Sequence, residues 1–220
     1  MIYPLYTLCA ALGLFILWVM TSIYLLLTPT KGRPINKQER SNSALILIDM
    51  QSDYTRREGK NSYRPEDVET LIGNVNALIR KAEAQNMPVV TIRQVTHGKL
   101  KIAVNRMLAG PEGLAGNPGI YFDDRIKVSP TADFEKERGD AFSTLAFEDW
   151  LAANKISQLY IAGIDGCYCI KNTSFGGRNR DYDVTIIEDA TLTVFPDRWT
   201  KVRQHLKEAG ARFSSVAAAF

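Results

Sequence analysis

Charged residues are missing from the first thirty positions of this 220-residue chain, although Lys, Arg, Asp and Glu make up 23% of the whole. The sequence therefore divides into an uncharged N-terminal stretch and a longer, more polar body, which disfavours a plain soluble monomer. Cysteine and histidine are also scarce, with three and two copies. So little cysteine excludes a disulfide-rich scaffold, and the overall composition excludes a collagen-like or disordered chain.

The uncharged stretch has the length of a membrane-spanning helix. Positions 5–27 are almost wholly apolar and would extend about 34 Å as a helix, against a hydrocarbon core of about 30 Å. A secretory signal peptide is the alternative, but the basic start, short apolar core and small-residue cleavage site are absent. Residues 1–29 are therefore predicted to be an uncleaved transmembrane anchor.

Basic residues flank this stretch on one side only, and they follow it: Lys31, Arg33, Lys37 and Arg40. The asymmetry predicts a single-pass membrane protein whose body faces the cytoplasm. The net charge of the chain is only +3, and its basic and acidic residues are interspersed. No nucleic-acid partner is therefore expected.

The body alternates between strand and helix patterns after a short Pro- and Gly-containing linker, so a single domain is predicted at 43–220 after a linker at 30–42. Short apolar runs predict strands near 44–48, 88–92, 133–136, 158–162, 184–187 and 212–216. Apolar residues at three- and four-residue spacing predict helices near 64–82, 143–153, 169–180 and 196–209. The region 96–131 lacks periodicity and is predicted to be a long loop with short helical pieces. This order predicts a doubly wound, three-layer α/β/α fold around a mostly parallel six-stranded sheet.

Three chemically active side chains fall at the predicted carboxyl ends of strands, where ligands bind in doubly wound sheets. Asp49 ends the first strand, Lys136 ends the third, and Cys169 lies in the turn between the fourth strand and its helix. A helix N-terminus and a nearby ammonium group both stabilise a thiolate. A neighbouring carboxylate could take the thiol proton and pass it to a leaving group, which gives a nucleophile and a base without histidine.

Each of the three also has an ordinary structural interpretation. An Asp after a strand often caps a helix, a single Lys is usually solvated, and a Cys in an apolar turn is usually a small buried residue. Residue chemistry alone therefore leaves the catalytic and the structural interpretations of Asp49, Lys136 and Cys169 evenly balanced.

Three segments resemble the isochorismatase-like cysteine hydrolase superfamily. The run ALILIDMQSDY at 44–54 is similar to that superfamily's opening strand, which ends in Asp-x-Gln followed by Asp and an aromatic residue. The run KERGDAF at 136–142 resembles K-x-R-x-S-A-F, with Asp140 in place of the usual Ser. The run GIDGCYCI at 163–170, with Thr173, resembles G-V-x-T-x-x-C-V-x-x-T. The resemblance covers nearly all of residues 43–216.

The resemblance implies a catalytic trio of Asp49, Lys136 and Cys169, with Cys167 as a spectator. It implies that the Cys169 thiolate attacks a small amide, carbamoyl or ureido carbon and forms a thioester. Asp49 would protonate the leaving group and then activate water, and Lys136 would hold the other two groups in register. Soluble relatives are commonly dimers or tetramers, which implies a possible homo-oligomer.

The resemblance also implies how the substrate is held. The peptide bond between Ile164 and Asp165 is expected to be cis, and the backbone N–H groups of Asp165 and Cys169 are expected to form an oxyanion hole. If the register of the motifs holds, the substrate pocket is lined by Gln51, Tyr54, Phe142, Ile164 and Tyr168.

Two departures from the family pattern limit the function. Asp165 and Gly166 replace the small residue and Thr of the nucleophile turn, which predicts an altered substrate preference or lost activity. A catalytically inactive binding or scaffolding module is therefore the alternative function. Nicotinamidases of the superfamily carry a metal-binding Asp-x-His, which is absent around both His97 and His205, so neither a metal nor another cofactor is expected.

Overall fold

A computed structural model describes residues 3–59, 61–108 and 110–220, without the side chains of residues 3–5, 7, 8 and 26. The first two residues of the predicted anchor thus lie outside the described residues. Helix α1 spans Tyr3–Leu27, and its large apolar side chains, where described, are mostly exposed. Within the described residues, no helix is long and apolar enough to span a membrane. The predicted single-pass anchor, and the cytoplasmic orientation deduced from it, are therefore not supported.

Six parallel strands form one sheet in the order β3-β2-β1-β4-β5-β6. They are β1 (Asn42–Ile48), β2 (Val89–Gln94), β3 (Ala132–Lys136), β4 (Ile156–Gly163), β5 (Asp183–Thr191) and β6 (Arg212–Ser214). The central strand β1 is buried on both faces because its run of Ala, Leu and Ile carries no polar side chain. The predicted parallel six-stranded sheet is confirmed.

Helices cover both faces of the sheet, as the doubly wound prediction requires. The helices that follow α1 are α2 (Ser52–Thr55), α3 (Pro65–Ala84), α4 (Lys99–Leu108), α5 (Leu145–Ala153), α6 (Lys171–Arg178) and α7 (Pro196–Glu208). Helix α3 packs on the face that carries Leu45 and Leu47, whereas α5, α6 and α7 lie on the face that carries Ile46 and Ile48. The alternation of side chains along β1 thus supplies both layers of the core.

The aperiodic region 96–131 is a long loop that contains α4 and a 3₁₀ turn at Pro118–Ile120. Isolated bridges join Thr96 to Leu114 and Gln51 to Phe122. Because both bridges lie at the carboxyl edge of the sheet, the loop is fixed beside the ends of β1 and β2.

The strand order reverses between β1 and β4, where a close backbone contact is needed. Gly163 has φ 121°, and a Cβ atom there would lie 2.2 Å from the carbonyl oxygen of Ile48. Only glycine fits this position. The contact brings the residues that follow the two strands, Asp49 and Ile164, next to each other, since the Ile164 amide donates to Ile48.

Candidate active site

Asp49 follows β1 and lies at the carboxyl edge of the sheet. Its φ of 54° lies in the left-handed region, which Asp tolerates better than most residues. The carboxylate is nearly fully buried, and its Oδ2 accepts a hydrogen bond of 2.8 Å from Lys136 Nζ. Its other oxygen, Oδ1, is buried without a hydrogen-bond partner in the described part of the chain. That oxygen is therefore available to a substrate or a transferred proton.

Lys136 is the last residue of β3, and its ammonium group joins the other two members of the predicted trio. Besides Asp49, Nζ donates to Gln94 Oε1 at 2.8 Å and lies 3.4 Å from Cys169 Sγ. Burial of this side chain would lower its pKa, but the charge of Asp49, with a further contribution from Cys169, outweighs burial and raises it. The ammonium group is therefore charged at neutral pH.

Cys169 lies in a π-helical turn at Gly166–Ile170 that leads into α6. Burial and the nearby Asp49 charge raise the pKa of its thiol, whereas Lys136 acts in the opposite direction. The resting site thus holds a thiol beside a Lys–Asp ion pair, although the position before a helix had suggested a stabilised thiolate. Asp49 is placed to take the thiol proton.

Cys167, two positions earlier, lies outside this cluster. Its side chain is buried, and Sγ approaches the carbonyl oxygen of Phe195 at 3.6 Å. Burial raises the pKa of this thiol too. The two cysteines of the turn therefore differ in their partners, because only Cys169 contacts Lys136.

The peptide bond between Ile164 and Asp165 is cis. The amide of Asp165 makes no hydrogen bond to another described residue, as an oxyanion donor requires. The Asp165 carboxylate is turned away from that amide and accepts four hydrogen bonds. Its donors are the amides of Cys167 (2.7 Å) and Val194 (2.8 Å) and the hydroxyls of Thr193 (2.9 Å) and Tyr63 (3.1 Å).

Asp165 is half-buried in this arrangement, and the partners named here include no cation. Burial raises the pKa of its carboxyl group, and the four hydrogen bonds only partly offset the increase. The residue ties the nucleophile turn to the loop after β5 and, through Tyr63, to the loop before α3. The departure from the family pattern thus supplies a fixed junction between three segments.

Two predicted pocket residues lie after β1. The Gln51 side chain is fully buried and pairs with the backbone of Gln94, accepting from its N–H at 2.7 Å and donating to its C=O at 3.0 Å. It therefore fixes the ends of β1 and β2 to each other. Tyr54 is half-buried, and its pKa is raised by burial and by the charges of Asp49 and Cys169, so its phenol lies near the trio.

The pocket role of the other three predicted residues stays a prediction, and their contacts are as follows. Phe142 lies in the turn at Ala141–Ser143 and is buried in the core against the rings of Phe147 and Tyr182. Ile164 is also buried, and its backbone forms part of the cis peptide. Tyr168 is half-buried and packs edge-on against Phe195, at 5.6 Å between ring centroids.

Two residues at the site were not predicted from the sequence. Gln94 ends β2 and hydrogen-bonds Lys136, and the same strand-end argument that identified Asp49 would have found it. Tyr63 lies in an irregular loop, and no sequence pattern points to it. The pKa of its phenol is raised by burial and by the charge of Asp165, with smaller effects from Cys169 and Asp49.

The two histidines do not fit a metal site. His97 Nε2 lies 2.8 Å from Glu135 Oε2, and the side chain is 54% exposed at the rim of a cavity of about 240 Å³ beside Lys136. His205 is exposed on α7, which follows all three trio residues in the sequence. The described residues include no group of three His, Cys, Asp or Glu side chains that could bind a metal. The metal of nicotinamidases therefore has no matching ligand set among these residues.

Fold and site together define a doubly wound α/β protein in which Asp, Lys and Cys meet at the carboxyl edge of the sheet. Residues 43–218 match the model of the Isochorismatase domain. The chain belongs to the isochorismatase family.

Individual relatives agree with this assignment. A probable inactive nicotinamidase of Arabidopsis thaliana is 26% identical over 186 residues, which cover 78% of this chain and 91% of that protein. The structure of N-carbamoylsarcosine amidase from Thermoplasma acidophilum superposes with a TM-score of 0.70 at 20% identity, covering 81% of this chain and 99% of the other. Nicotinamidase from Bacillus subtilis gives a TM-score of 0.69 at 20% identity, covering 80% and 100%. At these identities the structural matches support the fold alone.

Proposed function

We propose that this protein is a cysteine hydrolase that cleaves a small amide, carbamoyl or ureido C–N bond. The observation that carries the proposal is the Lys136 ammonium group, which contacts the Asp49 carboxylate at 2.8 Å and the Cys169 sulfur at 3.4 Å. A nucleophile, a base and an orienting cation are thereby within one hydrogen-bond network. The carbamoylsarcosine amidase and nicotinamidase neighbours act on compounds of this class by name.

The proposed reaction begins with a protonated thiol. As Cys169 sulfur attacks the carbonyl carbon, its proton passes to Asp49, and the carbonyl oxygen receives hydrogen bonds from the Asp165 and Cys169 amides. Asp49 then protonates the leaving nitrogen, which departs as ammonia or an amine. Water, deprotonated by Asp49, attacks the thioester, the C–S bond breaks to release the acid, and Asp49 returns the proton to the Cys169 sulfur. Lys136 keeps a positive charge throughout and holds both partners in place.

The chain offers a matched control for this assignment. Cys169→Ser and Cys167→Ser alter equivalent atoms two positions apart, but only the first removes the sulfur that contacts Lys136. Ammonia release from a panel of carboxamides, carbamoyl and ureido compounds is expected to be abolished by Cys169→Ser and retained by Cys167→Ser. Turnover that survives Cys169→Ser would disprove the nucleophile.

A second candidate is a non-catalytic binding module of the same fold. It is favoured by the near-complete burial of Asp49 and Lys136 and by the departure at Asp165. The Arabidopsis relative, which is named as probably inactive, is consistent with it. Under this alternative no compound of the panel is hydrolysed, and Cys169 reacts with iodoacetamide no faster than Cys167.

A further inference from the structure

Asp140 is a fully buried acid that replaces the Ser of the family pattern. Its Oδ1 accepts from the amide of Phe142 at 2.9 Å and so caps the turn at Ala141–Ser143. A Ser hydroxyl could make the same cap. Its Oδ2 has a different role, since it accepts from both the amide and the hydroxyl of Thr30, at 2.7 Å each. Only a side chain with a second acceptor oxygen can make these bonds.

Thr30 belongs to a segment, residues 30–35, that we call the strap. Arg180, itself 4% exposed, holds the strap by donating to Thr30 Oγ1 at 3.0 Å and to the Lys31 carbonyl at 3.2 Å. In return the Ile35 amide donates to the Arg180 carbonyl at 2.9 Å. The strap is therefore fastened to the body by two buried charged side chains of opposite sign.

The loop that contains Asp140 joins the catalytic elements. It begins at Lys136, four residues earlier in the sequence. The amide of Ala141 donates to Thr173 Oγ1 at 3.0 Å, and Thr173 lies one helical turn after Cys169 on α6. The hydrogen bonds to Asp140 therefore hold the loop that follows Lys136, and the Ala141 bond connects this loop to α6, the helix that follows Cys169.

We propose that Asp140 and Thr30 are positioning residues, through which the strap holds the Lys136 loop so that the ammonium group stays beside Cys169. The proposal rests on the proposed function, because it assigns Lys136 and Cys169 to the reaction. The quantity that tests the proposal is the reactivity of the Cys169 thiol. The Lys136 charge favours the thiolate, so a displaced ammonium group reduces the thiolate fraction and the rate of alkylation.

The test uses four variants of the full chain at or near the strap, and a fifth as a stability control. Asp140→Ser keeps the Phe142 cap and removes the strap acceptor, and Thr30→Val removes only the strap hydroxyl. Thr30→Ser restores that hydroxyl, and Thr28→Val is the control, because the Thr28 hydroxyl donates to the exposed Tyr24 carbonyl and, among the described residues, not to the body. The rate of iodoacetamide addition to Cys169 at pH 7 is followed by mass spectrometry of its peptide, with thermal unfolding measured in parallel.

Asp140→Ser is expected to slow alkylation of Cys169 about tenfold and Thr30→Val about threefold, while Thr30→Ser and Thr28→Val react at the wild-type rate. Val75→Ala, a core change on the buried face of α3, provides the comparison for lost stability alone and is expected to leave the rate unchanged. An unchanged rate in folded Asp140→Ser or Thr30→Val overturns the proposal, and so does equal slowing in Val75→Ala. If Asp140→Ser does not fold, the difference in alkylation rate between Thr30→Val and Thr30→Ser tests the proposal. If the wild type hydrolyses no amide but the rates follow this order, the proposed function fails and the positioning role stands.

Discussion

Lys136 is a buried cation whose charge is matched by one buried carboxylate and one polarisable sulfur. Its two strongest contacts, to Asp49 and Gln94, come from the ends of β1 and β2, so the ammonium group links three neighbouring strands. An ion pair removed from water contributes little net stability, whereas an unpaired buried charge is costly. The pair is therefore better explained by the chemistry it supports than by stability.

Replacing Lys136 with Met tests this interpretation at the residue scale. The variant leaves Asp49 buried and uncompensated, so we expect a loss of about 3 kcal/mol in the free energy of unfolding. The double variant Asp49→Asn with Lys136→Met removes both charges and is expected to recover at least about half of that loss. Urea unfolding measures both. Full stability in the single variant would show that the Asp49 charge is not buried as described.

Tyr63 and Asp165 give a pH-dependent prediction. Because burial raises the pKa of Asp165, the folded state binds that proton more tightly than the unfolded state. Stability from this group is therefore fully present below pH of about 4 and is lost as pH rises through the raised pKa. The Tyr63 hydroxyl offsets part of the loss by donating to the carboxylate.

Tyr63→Phe is accordingly expected to cost more at pH 7 than at pH 4, by up to about 1–2 kcal/mol, because the Tyr63 hydroxyl stabilises the charged form of Asp165 and pH 7 favours that form more than pH 4 does. Tyr121→Phe, at an exposed ring, serves as the control and should change the free energy of unfolding by less than about 0.5 kcal/mol at either pH. Urea unfolding at the two pH values gives the comparison. An equal loss at pH 4 and pH 7 would mean that Tyr63 does not stabilise the charged carboxylate.

At the scale of elements, the approach of β4 to β1 sets the geometry of the site. Gly163→Ala would place a methyl group 2.2 Å from the Ile48 carbonyl oxygen, on a residue whose φ is already 121°. We expect a loss of more than about 2 kcal/mol and slower alkylation of Cys169, because Asp49, which adjoins this contact, and the turn that leads from Gly163 to Cys169 must move. Gly73→Ala is the matched control on α3, where the new methyl group meets nothing within 4 Å. It should raise stability by about 0.5–1 kcal/mol. If Gly163→Ala retained wild-type stability and reactivity, the close contact would not control the site.

The sequence predicts an element well when the pattern that specifies it lies within a short stretch of the chain. The apolar run of β1 and the spacing along α3 are local patterns, and both elements were predicted close to their observed bounds. The trio was also found together, since strand ends in a parallel sheet share one edge. The pocket role of Phe142 stays a prediction, because a motif gives the position of a residue but not the direction of its side chain. Tyr63 was missed because its place depends on packing between distant loops.

At the scale of the whole molecule, the N-terminal region illustrates the same limit. Composition separated residues 1–29 from the body and identified 30–42 as a linker, but the strap within that linker packs on the body through Asp140 and Arg180. Those contacts join residues more than a hundred positions apart, so no local pattern could reveal them. The functional unit is therefore expected to begin before residue 43, where the family match begins.

A pair of shortened chains tests this boundary, one that begins at Thr28 and one that begins at Ser41. The first retains the strap, whereas the second leaves Asp140 Oδ2 buried without Thr30, at a cost of about 1–3 kcal/mol. Asp140→Ser should therefore have opposite effects in the two chains. It removes two hydrogen bonds from the longer chain and lowers its melting temperature by about 2–4 °C, whereas it removes an unsatisfied acceptor from the shorter chain and raises the melting temperature by a similar amount. Thermal unfolding followed by circular dichroism measures all four proteins. A change of the same sign in both chains would contradict the pairing of the strap with Asp140.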